Sequence, residues 1–372
     1  MKKVGLMTIY SVPNFGSVLQ TYATQVLLER LGVECWIIDY DRSNSWYYSH
    51  GSFKPSRVNS VVKSLGIKSK HRKEKKLNNF RNRYLHLTSR YKSLYSLETA
   101  SWTSYDAFVV GSDQVWNTRF SYGDSVYLLS FVPNGKPKIS IASSFALKEL
   151  PDKYIDKFRY YLSSFGHLSV REAFGKDIIQ KQLLIDKDVE ILIDPTLLLS
   201  QIDWLEAIPR SHFKKKEKYI LLYMLDYAFR PQPYIFEVAS YFQKKYGYNI
   251  YVLEGEISKE YKSILKYKDV IDSSIPEFID YFSNADIVIT SSFHGTAFAL
   301  NFGRPLISIV PGGGDDRQTS ILKDVCLSKL AVKVGDDIQK ISPAYDYDKE
   351  QQLLKKLRDK SVKWIEQALS EI

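Results

Sequence analysis

The chain has 372 residues, 44% of them hydrophobic and 25% charged, with a formal net charge of +10 at pH 7. That length exceeds what one hydrophobic core ordinarily serves, so two domains are expected, and the apolar content excludes a disordered polyelectrolyte. The basic balance favours anionic partners such as nucleic acid, a phospholipid surface or a phosphorylated substrate.

Two cysteines, Cys35 and Cys326, lie far apart with no cysteine or histidine near either, so neither a disulfide framework nor a zinc cluster is expected. Tyrosine is abundant, with 27 residues, and several rings lie in polar stretches such as Ser45 to Tyr48, as in carbohydrate or interfacial sites. The apolar run near the amino terminus is too short for a secretory core, and no stretch approaches the roughly 20 apolar residues that cross a bilayer. A cytoplasmic protein is expected.

The residues predict a first strand over Val4 to Ile9, a turn-forming loop SVPNFGS (Ser11 to Ser17), and an amphipathic helix over Gly16 to Leu31 capped by Asn14 or Ser17. Gly32 then ends the helix and Cys35 to Tyr40 forms a second strand. This opening is Rossmann-like, although its glycines do not follow the dinucleotide fingerprint. From Lys54 to Lys92 come thirteen Lys or Arg residues against a single acid, Glu74. Such a run is either a solvated helical face or a patch for an anionic membrane; no nucleic-acid motif accompanies it.

Tyr105 to Val110 reads as a strand running into Gly111, Ser112, Asp113, Gln114 and Asn117. Further strands are predicted over Ile139 to Ser144, Leu168 to Arg171 and Ile191 to Asp194, with a helix over Lys153 to Phe165. Asp194 precedes Pro195 and is expected to anchor a turn. Strand after strand ends in polar or charged residues, as a binding edge requires. A polar, basic segment over Ser200 to Lys218 reads as a linker, giving domains 1–203 and 204–372, the second including a terminal helix over Lys349 to Ile372.

The alternation restarts with a strand over Tyr219 to Met224, a helix over Tyr234 to Lys245, a strand over Ile250 to Leu253 and a helix over Ile275 to Ser283. It reaches its most informative stretch at Ala285 to Val310. There a β-branched strand ends in Ser291, Ser292, Phe293, His294 and Gly295, a helix runs over Thr296 to Phe302, and a second strand follows. This βαβ unit puts a histidine at the carboxyl end of a strand and the positive end of a helix, where α/β sheets bind anions. The flexible turn Pro311 to Gly314 leads to Asp315, Asp316 and Arg317 and a helix from Gln318.

Five blocks, NFGSVLQTYA (from Asn14), VVGSDQVWN (from Val109), SVREAFG (from Ser169), LIDPTLLL (from Leu192) and SSFHGTAFALNFGRPLI (from Ser291), resemble, in order and spacing, the polysaccharide pyruvyl transferase family. The resemblance covers Val4 to about Leu330. It implies an α/β fold of two Rossmann-like domains facing a cleft, similar to GT-B glycosyltransferases. It further implies transfer of the enolpyruvyl unit of phosphoenolpyruvate onto two hydroxyls of a sugar, in a polysaccharide repeat or its lipid-linked precursor. No nucleotide cofactor or catalytic metal is implied, and no nucleic-acid partner.

On this resemblance His294 transfers protons and Arg171 holds the substrate anion, the alternative for Arg171 being a structural ion pair with Glu172. Asn14, Ser17, Ser112, Asp113 and Gln114 position or bind the sugar, the alternative for Asp113 being a helix cap or a partner for a lysine. Ser292, Gly295 and Arg317 complete the anion site. One departure stands out: many members carry an arginine two residues before the histidine, where this chain has Ser292. Arg317, just past the glycine turn, is the expected substitute for that charge, and Arg304, which opens a strand, is expected to pack. Two rival readings accompany this one: a GT-B glycosyltransferase using a nucleotide sugar, and a non-catalytic glycan- or phospholipid-binding module.

Overall fold

The structure is a computed structural model that describes residues 1–42, 63–311 and 316–372. The turn expected at Gly312 to Asp315 and the start of the basic run, up to residue 62, lie outside the described residues. The chain forms two compact units: one of Met1–Val58, Arg81–Leu198 and Leu357–Ile372, the other of Asn59–Phe80 and Leu199–Lys356.

The division departs from the boundary expected at 203/204 in three places, the break itself falling between Leu198 and Leu199. Residues 59–80 group with the second unit, and the end of the terminal helix, Tyr347–Ser370, belongs to the first. Specific bonds hold that end: Arg358 Nε donates to the Leu197 carbonyl at 2.6 Å, and Lys360 Nζ meets Glu190 Oε1 at 2.6 Å. Trp364 also lies edge-on to His167, with ring centroids 6.1 Å apart.

In the first unit, β1 (Lys2–Met7), β2 (Val33–Ile37), β3 (Ala107–Val110) and β4 (Lys138–Ser140) form a parallel sheet in the order β2-β1-β3-β4. The strands β5 (Leu168–Val170) and β6 (Val189–Ile191) pair in parallel and join the β4 side through bridges Ile139 to His167 and Ser143 to Val170. The β3 sequence, AFVV, is buried throughout, as β-branched and aromatic residues in a sheet covered on both faces should be. Chain order reverses direction between β1 and β3, which makes that gap the switch point where open α/β sheets bind ligands.

The second unit has six parallel strands: β7 (Tyr219–Tyr223), β8 (Asn249–Glu254), β9 (Tyr267–Asp269), β10 (Ile287–Thr290), β11 (Leu306–Val310) and β12 (Ala331–Lys333). Their order, β12-β11-β10-β7-β8-β9, is the Rossmann order read from its far edge. Its switch point lies between β7 and β10, where Tyr223 is in register with Thr290. The segment expected as a linker contains a helix, Gln201–Ala207, started by a capping box between Ser200 and Asp203 and anchored by the fully buried Trp204. Among the described residues no helix is long and apolar enough to cross a membrane.

Candidate active-site edges of the two units

In the second unit the helix begins at Phe293, three residues earlier than the sequence predicts, because Ser292 is its N-cap: Oγ accepts from the Gly295 N–H at 3.4 Å. His294 therefore sits in the first helical turn, 7% exposed, with its ring edge-on to Phe293. The helix runs from Phe293 to Asn301, so the histidine lies at the positive end of aligned peptide dipoles.

The turn is locked to the neighbouring strand. Thr290 Oγ1 donates to the Tyr223 carbonyl at 2.7 Å and accepts from the Ser292 N–H at 3.0 Å. Ser291 Oγ donates to the Leu225 carbonyl at 2.7 Å and accepts from the Leu225 N–H at 2.9 Å. These bonds cross the β7/β10 switch point. Gly295 serves the same closeness: a Cβ there would lie 2.1 Å from Thr290 Oγ1 and 2.8 Å from the Tyr223 ring. Its lack of a side chain thus has a packing cause without any ligand.

Arg317, 9% exposed, is in the first turn of the helix Asp316–Asp324. Its neighbour Gln318 donates from Nε2 to Ser308 Oγ at 2.6 Å and to Thr296 Oγ1 at 3.3 Å, so this turn lies beside the first turns of the His294 helix. The structure thus brings together His294, Ser292, Gly295 and Arg317 on one sheet edge. Gln318 escaped the sequence reading, since nothing in its local pattern marks it. Arg304 donates from Nε to the Phe302 carbonyl at 2.8 Å, a packing role.

In the first unit Asn14 caps the helix Phe15–Arg30, accepting from the Ser17 N–H at 3.2 Å. Ser17 Oγ donates to Asp113 Oδ2 at 2.6 Å, joining the turn after β1 to the turn after β3. Asp113 is 7% exposed and holds φ at +73°, a left-handed conformation uncommon outside glycine, while its Oδ1 accepts from the Gln114 N–H at 2.8 Å. Gln114 in turn accepts from Asn117 Nδ2 at 2.7 Å. Gln20, absent from the sequence reading, holds this corner: its buried Nε2 lies 3.0 Å from Thr8 Oγ1 and 3.1 Å from the Ser17 carbonyl.

Arg171 has a different environment from the one the resemblance implies. Its Nε meets Glu172 Oε1 at 2.9 Å and its Nη1 meets Asp194 Oδ2 at 2.7 Å, with side-chain exposures of 3%, 2% and 0% for the three residues. Ser112 Oγ donates to the same Asp194 oxygen at 2.9 Å, and Ser144 Oγ to Glu172 Oε1 at 2.7 Å. The guanidinium has two buried carboxylate partners within the protein. Arg171 and Ser112 are thus placed in an internal clamp tying together the segments that follow β3, β4, β5 and β6. Asp194 anchors the following turn as expected, its Oδ1 accepting from the Thr196 N–H and hydroxyl.

The described part of the basic run is also largely engaged. On the helix Lys63–Tyr84, Lys73 pairs with Glu254, Arg72 with Asp272 at 2.6 Å and Lys76 with Glu277 at 3.2 Å. Arg81 is buried and donates to the Val12 carbonyl; Arg90 meets Asp41 at 2.9 Å.

Two α/β units with parallel sheets of these orders define a GT-B-type fold, and solved structures agree. The UDP-GlcNAc 2-epimerase of Methanocaldococcus jannaschii matches with a TM-score of 0.55 at 12% identity, covering 96% of this chain and 99% of that one. A UDP complex of S. aureus MnaA matches at 0.53 and 13% identity, covering 95% of each chain. The UDP-GlcNAc 2-epimerase of Neisseria meningitidis bound to UDP-GlcNAc matches at 0.51 and 12% identity over 100% of both. No curated protein matches the chain. Within that fold, the family model described as polysaccharide pyruvyl transferase matches residues 14–312, and the chain belongs to this family.

Proposed function

We propose that this protein is a ketal pyruvyltransferase, moving the enolpyruvyl unit of phosphoenolpyruvate onto a sugar of a cell-surface polysaccharide or its lipid-linked precursor. The observation that carries the reading is the family match over residues 14–312, which includes the His294 turn at the switch point of the second unit. Phosphoenolpyruvate carries a carboxylate and a phosphate. The helix end at Ser292 to Gly295, with Arg317 in the first turn of the neighbouring helix Asp316–Asp324, supplies a positive field for such an anion. Arg171, paired with Glu172 and Asp194, is assigned a positioning role instead.

The chemistry needs an acid and a base. His294, as imidazolium, gives its proton to the methylene carbon, which becomes the methyl group, and C2 becomes electrophilic. A sugar hydroxyl attacks C2 and gives its proton to the His294 imidazole left neutral by the first step, leaving a tetrahedral phospho-adduct. The C2–O bond to phosphate breaks, phosphate departs with the bonding pair, and the second hydroxyl closes the ketal, its proton leaving with phosphate. Within the first unit, Ser17, donating to Asp113, fixes the orientation of that carboxylate. The site of action is proposed to be cytoplasmic, where phosphoenolpyruvate is found.

The test is incubation of the full chain with phosphoenolpyruvate and cell-derived lipid-linked oligosaccharides. Phosphate release is measured beside mass spectrometry of the sugar. A product heavier by one pyruvate less one water supports the reading. No such product, together with thermal stabilisation by a nucleotide sugar and none by phosphoenolpyruvate, overturns it in favour of glycosyl transfer.

A further inference from the structure

The amino-terminal edge of the second unit's sheet, opposite the His294 edge, carries a concentrated cationic and aromatic surface. Lys216, Lys218, Lys244, Lys245, Lys266 and Lys268 are all exposed there, against the exposed carboxylates Glu217 and Asp269. The fold brings them together from three segments. Tyr219 opens β7 in register with Asn249 of β8, and Ile250 is in register with Tyr267 of β9. The end of the helix Tyr234–Tyr246 is fastened to the same edge by Gln243, whose Nε2 donates to the Tyr248 carbonyl at 3.0 Å and the Lys266 carbonyl at 2.7 Å.

Tyrosines are interleaved with these charges. Tyr246 is 41% exposed and stacks on Tyr248 with centroids 5.5 Å apart. Lys245 Nζ lies 5.7 Å from the Tyr246 ring, Lys218 Nζ 5.7 Å from Tyr248, and Lys268 Nζ 5.2 Å from Tyr251. We infer that this edge is a peripheral docking surface for an anionic phospholipid bilayer. Lysines on flexible stems suit a diffuse field of headgroup charges, whereas an ordered phosphate would call for the planar fork of arginine, and none of the six cations is arginine. Tyrosine rings, apolar with a polar tip, belong at the headgroup level. The cations of the 54–92 run whose side chains are described are, by contrast, mostly paired within the protein. The inference stands apart from the transfer reaction.

The test is co-sedimentation of the full chain with phosphatidylcholine vesicles containing roughly one-third phosphatidylglycerol, beside pure phosphatidylcholine, at low and high salt. Binding to the anionic vesicles alone, weakened by salt, is expected. Each lysine near such a surface is worth about a fivefold change in partition, so the triple variant K218A/K245A/K266A should lose about a hundredfold. A control triple on the terminal helix, K349A/K355A/K356A, has the same net charge and should lose little. All six positions are exposed, and an unchanged melting temperature verifies folding. Failure of the unaltered chain to bind, or equal losses in both triples, overturns the inference, as does equal binding to neutral vesicles.

Discussion

Ser17 and Asp113, 96 residues apart in the chain, share a 2.6 Å hydrogen bond that closes the β1/β3 switch point of the first unit. The bond holds a buried carboxylate in a left-handed backbone conformation that asparagine also adopts readily. Asp113→Asn therefore removes the carboxylate charge while keeping shape and backbone. If the carboxylate accepts from a sugar hydroxyl, the Michaelis constant for the acceptor should rise at nearly unchanged melting temperature. An unchanged Michaelis constant would leave Asp113 a corner of the fold.

His294→Ala should lower turnover by about a hundredfold or more, the usual cost of losing an acid–base group. The side chain follows a cap that Ser292 provides independently, so the helix persists and the melting temperature should move little. Steady-state phosphate release with saturating phosphoenolpyruvate is the measurement. Near-normal turnover would confine the histidine to anion binding or packing.

Much of the central architecture is legible because its strands are short β-branched runs: AFVV at 107–110, IVIT at 287–290 and LISIV at 306–310 are all buried strands. What escapes has physical reasons. The strands β9, with sequence YKD, and β12, with sequence AVK, are three-residue edges, one face of which meets solvent, so no apolar run announces them. The strand expected to Ser144 stops at Ser140, with Ala142 at φ +48° just beyond it. The helix Gln201–Ala207 was hidden in a polar segment, although its Ser200/Asp203 capping pattern was a readable signal. Local order marks the His294 turn, but the pairing of Arg171 with Asp194, 23 residues on, belongs to the tertiary fold. The same holds for Lys73, whose partner Glu254 lies 181 residues away.

The buried clamp around Arg171 makes a stability prediction. Arg171→Met would leave Glu172 and Asp194 buried without their cation, a change that typically costs about 3–5 kcal/mol. Urea denaturation should show that loss as an earlier midpoint. Arg171→Lys should recover part of it, since lysine keeps the charge but cannot reach both carboxylates in one plane. A variant of full stability with a raised Michaelis constant for phosphoenolpyruvate would instead return Arg171 to anion binding.

Alkaline pH should destabilise the protein. Burial pushes the Tyr127 phenol up to about 12, with the charge of Arg42 opposing and those of Asp124 and Asp113 adding to the rise. The folded state therefore holds this proton more tightly than the unfolded chain, where a phenol titrates near 10. Its stabilisation is complete below about pH 10 and is lost as pH rises toward 12. Melting temperatures should accordingly stay level to about pH 9 and decline above it, and Tyr127→Phe should flatten part of that decline. An identical decline in the variant would assign the alkaline loss to other groups.

Gly295→Ala tests how tightly the His294 turn is locked to β7. The new methyl would lie 2.1 Å from Thr290 Oγ1, an atom that bonds both the Tyr223 carbonyl and the Ser292 N–H. Thr290 must rotate away, losing both bonds, or the helix must lift from the sheet. Overpacking of this kind costs about 1–3 kcal/mol. Thr290→Ala in the same chain removes the blocking oxygen, so the double variant should be less destabilised than the sum of the single changes, a coupling that a thermodynamic cycle measures. Simple additivity would show that the methyl finds room elsewhere and that the turn tolerates movement. If coupling appears and turnover falls in the single variant but recovers in the double, the spacing of β7 and β10 sets the position of His294 for catalysis.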